Sequence, residues 1–141
     1  MNIEEIKKCI PHRFPFLWLD EVIELTAEKI HAMKFLSPEL DVFAGHYPGQ
    51  PIFPGVLQCE AAFQAGAVLI AKQHLVEEGK VPVVTRLNNT KFRNILRPGE
   101  TLDIEVTLTE KIANAFFLTG KISSNGKVAT RLEFACALAD V

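Results

Sequence analysis

At 141 residues, the chain is long enough for one domain with a single core, and one domain over 1–141 is expected. Hydrophobic residues make up 48% and charged residues 23%, the balance of an ordinary globular protein and not of a disordered one. A formal net charge of −2 disfavours a general nucleic-acid binder. The opening MNIEEIKKCI is too acidic and too poor in apolar residues for a signal peptide. Asn2 followed three residues later by Glu5 predicts a capping box and a short helix to about Cys9. Pro11 and Pro15 then hold 11–16 irregular, and two strand-like runs follow at 17–25 and 29–36.

Residues 44–55, AGHYPGQPIFPG, hold three Gly and three Pro in twelve positions, which predicts a loop without regular structure. From 56 to 78 the chain has no Pro and one Gly, and reads as a long helix with Pro54-Gly55 before it and Gly79 after it. Between 56 and 71 the polar side chains are Gln58, Glu60 and Gln64, so this is a core helix. Its most apolar part, 61–71, is far shorter than the ~20 residues of a membrane span. Further on, Leu102, Ile104, Val106 and Leu108 alternate with polar neighbours. Phe116, Leu118 and Ile122 do the same, as do Val128, Leu132, Phe134, Cys136 and Leu138, with an Asn125-Gly126 hairpin signal between these two runs. One long helix and one antiparallel sheet predict an α+β fold in which the helix covers the sheet's apolar face. Cys9, Cys59 and Cys136 form no CxxC pair and read as free thiols of a reducing compartment, so a cytoplasmic protein without disulfide or zinc is expected.

Glu60 is the most informative residue. An ionised carboxylate in an apolar helix costs several kcal/mol unless it finds a partner, so the group is either paired or protonated. Gln64, at i+4 on the same face, is close enough to orient it. A buried carboxyl with a raised pKa is a good acid near neutral pH, and His46, fourteen residues earlier in the Gly/Pro loop, is a complementary base. The N–H groups of the helix start at Gly55 can bind a developing oxyanion. Each feature alone has a plainer reading: a solvated loop histidine, a structural carboxylate, ordinary helix punctuation.

Together these residues carry a resemblance. Residues 45–57, GHYPGQPIFPGVL, continuing to Glu60-Ala61 and Gln64, resemble the signature of the β-hydroxyacyl-acyl-carrier-protein dehydratases of type II fatty-acid synthesis. Residues 10–17, IPHRFPFL, with Asp20, are similar to that family's N-terminal motif; Lys91-Phe92-Arg93 and 97–100, RPGE, are similar to its strand-and-turn segment. The resemblance implies a hot-dog fold and a homodimer as working unit, often three dimers together, with each active site at a subunit interface. It implies that His46 is the base, that Glu60 of the partner chain is the acid, and that the Gly55 N–H binds the oxyanion, with Gln64 in the same substrate-binding set. No metal or redox cofactor is implied. The substrate implied is a β-hydroxyacyl-phosphopantetheine on acyl carrier protein. Two segments depart from the family: Ala61-Ala62-Phe63-Gln64 stands where Ala-Met-Ala-Gln is usual, and 86–89, RLNN, replaces a Gly-Ile-Asp-like stretch. Both bear on the acyl tunnel.

His12-Arg13 belongs to the N-terminal motif and is expected to frame the site, while His31 and His74 read as structural or solvated. Arg86, Lys91, Arg93 and Arg97 form a basic run with no acid between 81 and 99. It reads either as a solvated strand edge or as a docking patch for an acidic carrier protein. Two rival functions share the architecture: a hot-dog thioesterase, which uses a carboxylate to activate water without a paired His loop, and a non-catalytic acyl-thioester-binding module, which has no need of a buried Glu60.

Overall fold

The computed structural model describes every residue except Leu75. Helix α1, Ile3–Cys9, opens on the predicted capping box: the Glu5 N–H donates to Asn2 Oδ1 at 3.0 Å and the Asn2 N–H to Glu5 Oε2 at 3.1 Å. It buries Ile6, and the amino terminus before it donates to the Val22 carbonyl at 2.7 Å. Strands β1 (Glu21–Leu25) and β2 (Lys29–Phe35) come next, then the single turn α2 (Val42–Gly45) and the long helix α3 (Gly55–Gln73). Strands β3 (Lys80–Phe92), β4 (Thr101–Ile112), β5 (Ala115–Ser124) and β6 (Lys127–Asp140) complete the chain.

The strands form one six-stranded antiparallel sheet in the order β1-β2-β4-β5-β6-β3. In β4 and β5 the alternation predicted from sequence is met: Leu102, Ile104, Val106, Phe116, Leu118 and Ile122 are all buried. Helix α3 lies across this face and buries Ala61, Ala62, Ala65, Val68, Leu69 and Ile70 against it. Small residues set how closely the two layers approach. A Cβ on Gly120 of β5 would stand 2.9 Å from Leu132 and 3.3 Å from the Cβ of Ala62. A central helix covered by an antiparallel sheet is the hot-dog arrangement, an α+β fold.

Four local expectations need correction. The strand expected over 17–25 begins only at Glu21, because Leu17, Trp18 and Leu19 are buried in succession and the Trp18 N–H is taken by the Gln64 side chain at 2.8 Å. The loop expected over 44–55 starts later, since Ala44 and Gly45 close the turn α2 and the His46 N–H donates to the Val42 carbonyl at 3.1 Å. The helix expected to reach 78 ends at Gln73, with His74 extended as its C-cap. Gly79, at φ +84°, serves not that helix end but the turn into β3, where the Lys80 N–H meets the Glu77 carbonyl at 3.1 Å. Leu75, within that expected helix, lies outside the described residues. Beyond these, 80–92 forms a thirteen-residue edge strand. Its side chains alternate poorly because most of them are exposed, including Val83, Val84, Leu87 and Phe92.

Candidate active site

The loop between α2 and α3 is held by its own backbone. The Ile52 N–H donates to the His46 carbonyl at 2.8 Å, and Tyr47 and Gln50 exchange N–H···O bonds at 3.2 and 3.0 Å. The Phe53 N–H anchors the loop to Leu96 at 2.8 Å, and the His46–Tyr47 peptide is cis. The His46 ring stacks on Tyr47 with centroids 4.2 Å apart, and its Nδ1 lies 3.0 Å from the Ile52 carbonyl. A carbonyl only accepts, so Nδ1 carries the hydrogen in the neutral ring. The lone pair is therefore on Nε2, and the loop presents His46 as a base through that atom.

Glu60 lies on the second turn of α3, half-buried. Burial raises its pKa above the usual carboxylate range, and the hydrogen bond from Gln64 offsets part of that rise. The Gln64 Nε2 donates to Glu60 Oε2 at 3.0 Å and to the Phe16 carbonyl at 2.9 Å, while Oε1 accepts from the Trp18 N–H at 2.8 Å. Gln64 is wholly buried. Its place beside Glu60 fits the orienting role predicted from the i+4 spacing, and both amide hydrogens are taken within the protein. Gln64 clamps the 16–18 segment to α3.

The clamped segment brings His12, expected to frame the site, up to Glu60 itself. The His12 Nε2 stands 3.7 Å from Glu60 Oε2, too long for a hydrogen bond but within ion-pair range. Burial, and secondarily the neighbouring Arg13 guanidinium, lower the His12 pKa. Sequence reasoning passed over Gln58. Its buried amide donates to the Phe53 carbonyl at 3.4 Å and accepts from the Thr130 hydroxyl, pinning the first turn of α3 to β6.

At the start of α3, Pro54 provides no side-chain cap, and among the described residues nothing accepts from the Gly55 and Val56 N–H groups. They open toward a cavity of about 420 Å³ whose walls include Phe53, Val56, Phe92 and Arg93. A Cβ on Gly55 would sit 2.7 Å from the exposed Phe92 ring, which would have to shift. Among the described residues, no hydrogen bond or ion pair joins His46 to Glu60 within the chain.

Arg86, Lys91, Arg93 and Arg97 are all exposed, and none forms an ion pair among the described residues. Pairing adds a member that a contiguous run could not reveal. Lys91 faces Arg131 across β3–β6, and Arg131 faces Lys121 across β6–β5. His31 bonds to Asp103 at 2.8 Å across β2 and β4, and His74 packs edge-on against Phe116. The three cysteines are free, and burial pushes the Cys136 thiol up to about 12. Among the described residues, no cluster of His, Cys, Asp or Glu could hold a metal, and no helix is long and apolar enough to cross a membrane.

Residues 10–133 match the family model of the FabA-like domain. The chain is 40% identical to the 3-hydroxyacyl-[acyl-carrier-protein] dehydratase FabZ of Erythrobacter litoralis, over 99% of this chain and 93% of that one. It is also 40% identical to the enzyme of the same name from Petrotoga mobilis, over 100% and 95%. Among solved structures, the dehydratase heterocomplex ApeI:P of Xenorhabdus doucetiae is similar at a TM-score of 0.79 and 18% identity, covering 96% of this chain and 91% of that one. A hypothetical thioesterase of Streptococcus pneumoniae, solved with coenzyme A, is similar at a TM-score of 0.68 and 8% identity, over 85% of each chain. These two structural likenesses speak for the fold alone.

Proposed function

This chain belongs to the FabA-like family and is a 3-hydroxyacyl-[acyl-carrier-protein] dehydratase, a hydro-lyase, and we propose that His46 and Glu60 are its base and acid in fatty-acid synthesis. Loss of water from a 3-hydroxyacyl thioester needs removal of a weakly acidic α-proton and protonation of a poor leaving group. His46 Nε2 takes the α-proton. The protonated carboxyl of Glu60 gives its proton to the departing hydroxyl, leaving a 2-enoyl thioester and water. The thioester oxygen gathers charge as the α-proton leaves, and the Gly55 N–H at the uncapped start of α3 is free to bind such an oxygen. The observation that carries this reading is Glu60: a carboxyl whose pKa burial raises and which Gln64 fixes, in the largely apolar first half of α3.

Each site is shared between two copies of the chain. Two observations support this. His46 and Glu60 are each bonded to other groups and not to one another. The edge strand β3 has one side unpaired and exposes Val83, Val84, Leu87 and Phe92, an apolar edge that a second copy can cover. The exposed basic groups Arg86, Lys91, Arg93 and Arg97, extended by Arg131, supply attraction for an acidic carrier protein.

The test is to refold a mixture of inactive His46→Ala and Glu60→Gln proteins and follow enoyl formation from a 3-hydroxyacyl thioester. A mixed dimer carries both lesions at one site and none at the other. Random pairing therefore restores roughly a quarter of wild-type sites. A mixture as dead as its components, with mixed dimers shown to be present, overturns the shared site. Free-thiol release without enoyl formation from the wild-type protein would overturn dehydration itself.

A further inference from the structure

The geometry points to His12 as a positioning residue for Glu60, its neutral Nε2–H directed at Oε2 so that the transferable proton is kept on Oε1. This inference rests on the assignment of Glu60 as the acid.

His12 is delivered to α3 by two fastenings. Arg13 donates from Nη1 to the Ile10 and His12 carbonyls at 2.9 and 2.7 Å and from Nη2 to the Lys7 carbonyl at 3.0 Å, tying the loop to the end of α1. Gln64 ties the same loop to α3 through Phe16 and Trp18. Between these two points His12 Nε2 faces Glu60 Oε2 at 3.7 Å.

The tautomer follows from the other ring nitrogen. His12 Nδ1 is buried with no hydrogen-bond partner among the described residues. An orphaned buried N–H is rarer in folded proteins than an under-used acceptor, so the hydrogen belongs on Nε2, toward Glu60. An imidazolium would force a hydrogen onto Nδ1 as well, beside the Arg13 guanidinium, and burial opposes its charge. Glu60 Oε2 thus has Gln64 as a donor and His12 as a second donor at longer range, while Oε1 has no partner among the described residues. A protonated carboxyl places its hydrogen on the oxygen that is not already accepting. Once Glu60 has given that proton away, the new carboxylate draws Nε2–H into hydrogen-bonding range, as catalytic contacts that are long in the free enzyme do. His12 therefore favours the ionised product of the acid step and makes Glu60 a stronger acid than burial alone would leave it. The titratable and charged groups facing this corner are Glu60 from α3, His12 and Arg13 from the loop, and, on the shared-site reading, His46 of the partner subunit. From α1, Lys7 turns its ammonium to Glu4.

His12→Leu should lower kcat about 10-fold with KM little changed. It should move the alkaline limb of the kcat profile upward by about half a pH unit, because the ionised form of Glu60 has lost a donor. His12→Gln keeps an N–H near the same place and should recover most of kcat and return the limb. Wild-type kcat and an unmoved limb in folded His12→Leu would overturn the proposal. So would a loss that leaves the limb in place and is not rescued by Gln, which marks a merely structural role. If His12→Leu fails to fold, the ¹⁵N spectrum of the wild-type His12 ring decides: hydrogen on Nε2 supports the proposal and hydrogen on Nδ1 overturns it. Glu60→Gln run alongside keeps the two readings apart, since near-normal activity there would fail the acid assignment itself, independently of His12.

Discussion

The strands β4 to β6 and the first half of α3 bury their side chains against one another, yet they obey different rules. In β4 every inward position from Leu102 to Val106 is apolar and wholly buried, and the polar residues between them are only partly covered. In α3 the buried set includes Gln58 and Gln64, with Glu60 half-buried between them. The inward face of β4 is purely apolar. The helix departs from the apolar pattern at three positions, and each polar group has a definite partner: Gln58 with Phe53 and Thr130, Glu60 with Gln64, and Gln64 with Phe16 and Trp18. Local rules are broken around the proposed acid, and the polar groups are satisfied by one another and by the backbone.

Substitutions in the two regions should separate activity from stability. Glu60→Gln keeps shape and removes the transferable proton, so turnover should fall by about 10²–10⁴ with the melting temperature intact or higher. Ile104→Ala, in the wholly buried face of β4, should do the reverse: it costs about 2–5 kcal/mol of stability, while the folded fraction keeps its specific activity. Equal losses of activity in the two proteins would erase the distinction. Gln64→Leu belongs to both regimes. It leaves the buried Trp18 N–H without its acceptor, costing about 1–3 kcal/mol, and frees Glu60 to turn, so both melting temperature and kcat should drop. A change in only one of them would mean that Gln64 clamps or orients, but not both.

The pH dependence sharpens the contrast, because the buried face of β4 holds no ionisable side chain and Glu60 is one. Its folded-state pKa is raised, so the folded protein holds this proton more tightly than the unfolded chain. That contribution is complete below the unfolded value of ~4.3 and is lost as pH rises through the raised folded value. The melting temperature of Glu60→Gln relative to wild type should therefore grow across that window and then level. It should level near the pH at which kcat/KM of the wild type falls. A constant difference from pH 4 to 9 would mean that Glu60 ionises freely in the folded protein.

The smallest effect expected is at the surface. Lys91→Glu with Arg93→Glu should weaken use of carrier-linked substrate several-fold, spare short pantetheine analogues, and fade at high salt as exposed charges are screened. Equal losses on both substrates would make the basic run structural.

Much of this was legible in the chain itself. The α1 capping box, the Asn125-Gly126 hairpin and the alternation of β4 and β5 are signals of short range, each fixed by neighbours within a few residues, and the structure has all three. The oddity of Glu60 was equally plain, since one ionisable residue in an apolar helix stands out without coordinates. What was not legible depends on partners far apart in sequence. Leu17 to Leu19 resemble a strand by composition, but a glutamine 46 positions after Trp18 takes the backbone N–H that a strand would have used. The edge strand β3 could not be read by alternation, because burial imposes that pattern only on strands with one covered face. His12 was expected to frame the site, but not which group it would meet; the Arg13 and Gln64 fastenings carry it to Glu60. The sequence by itself determined which groups were chemically out of place. Only the tertiary structure decided what faces them, because burial, pKa and orientation are set by contacts between segments that no local pattern links.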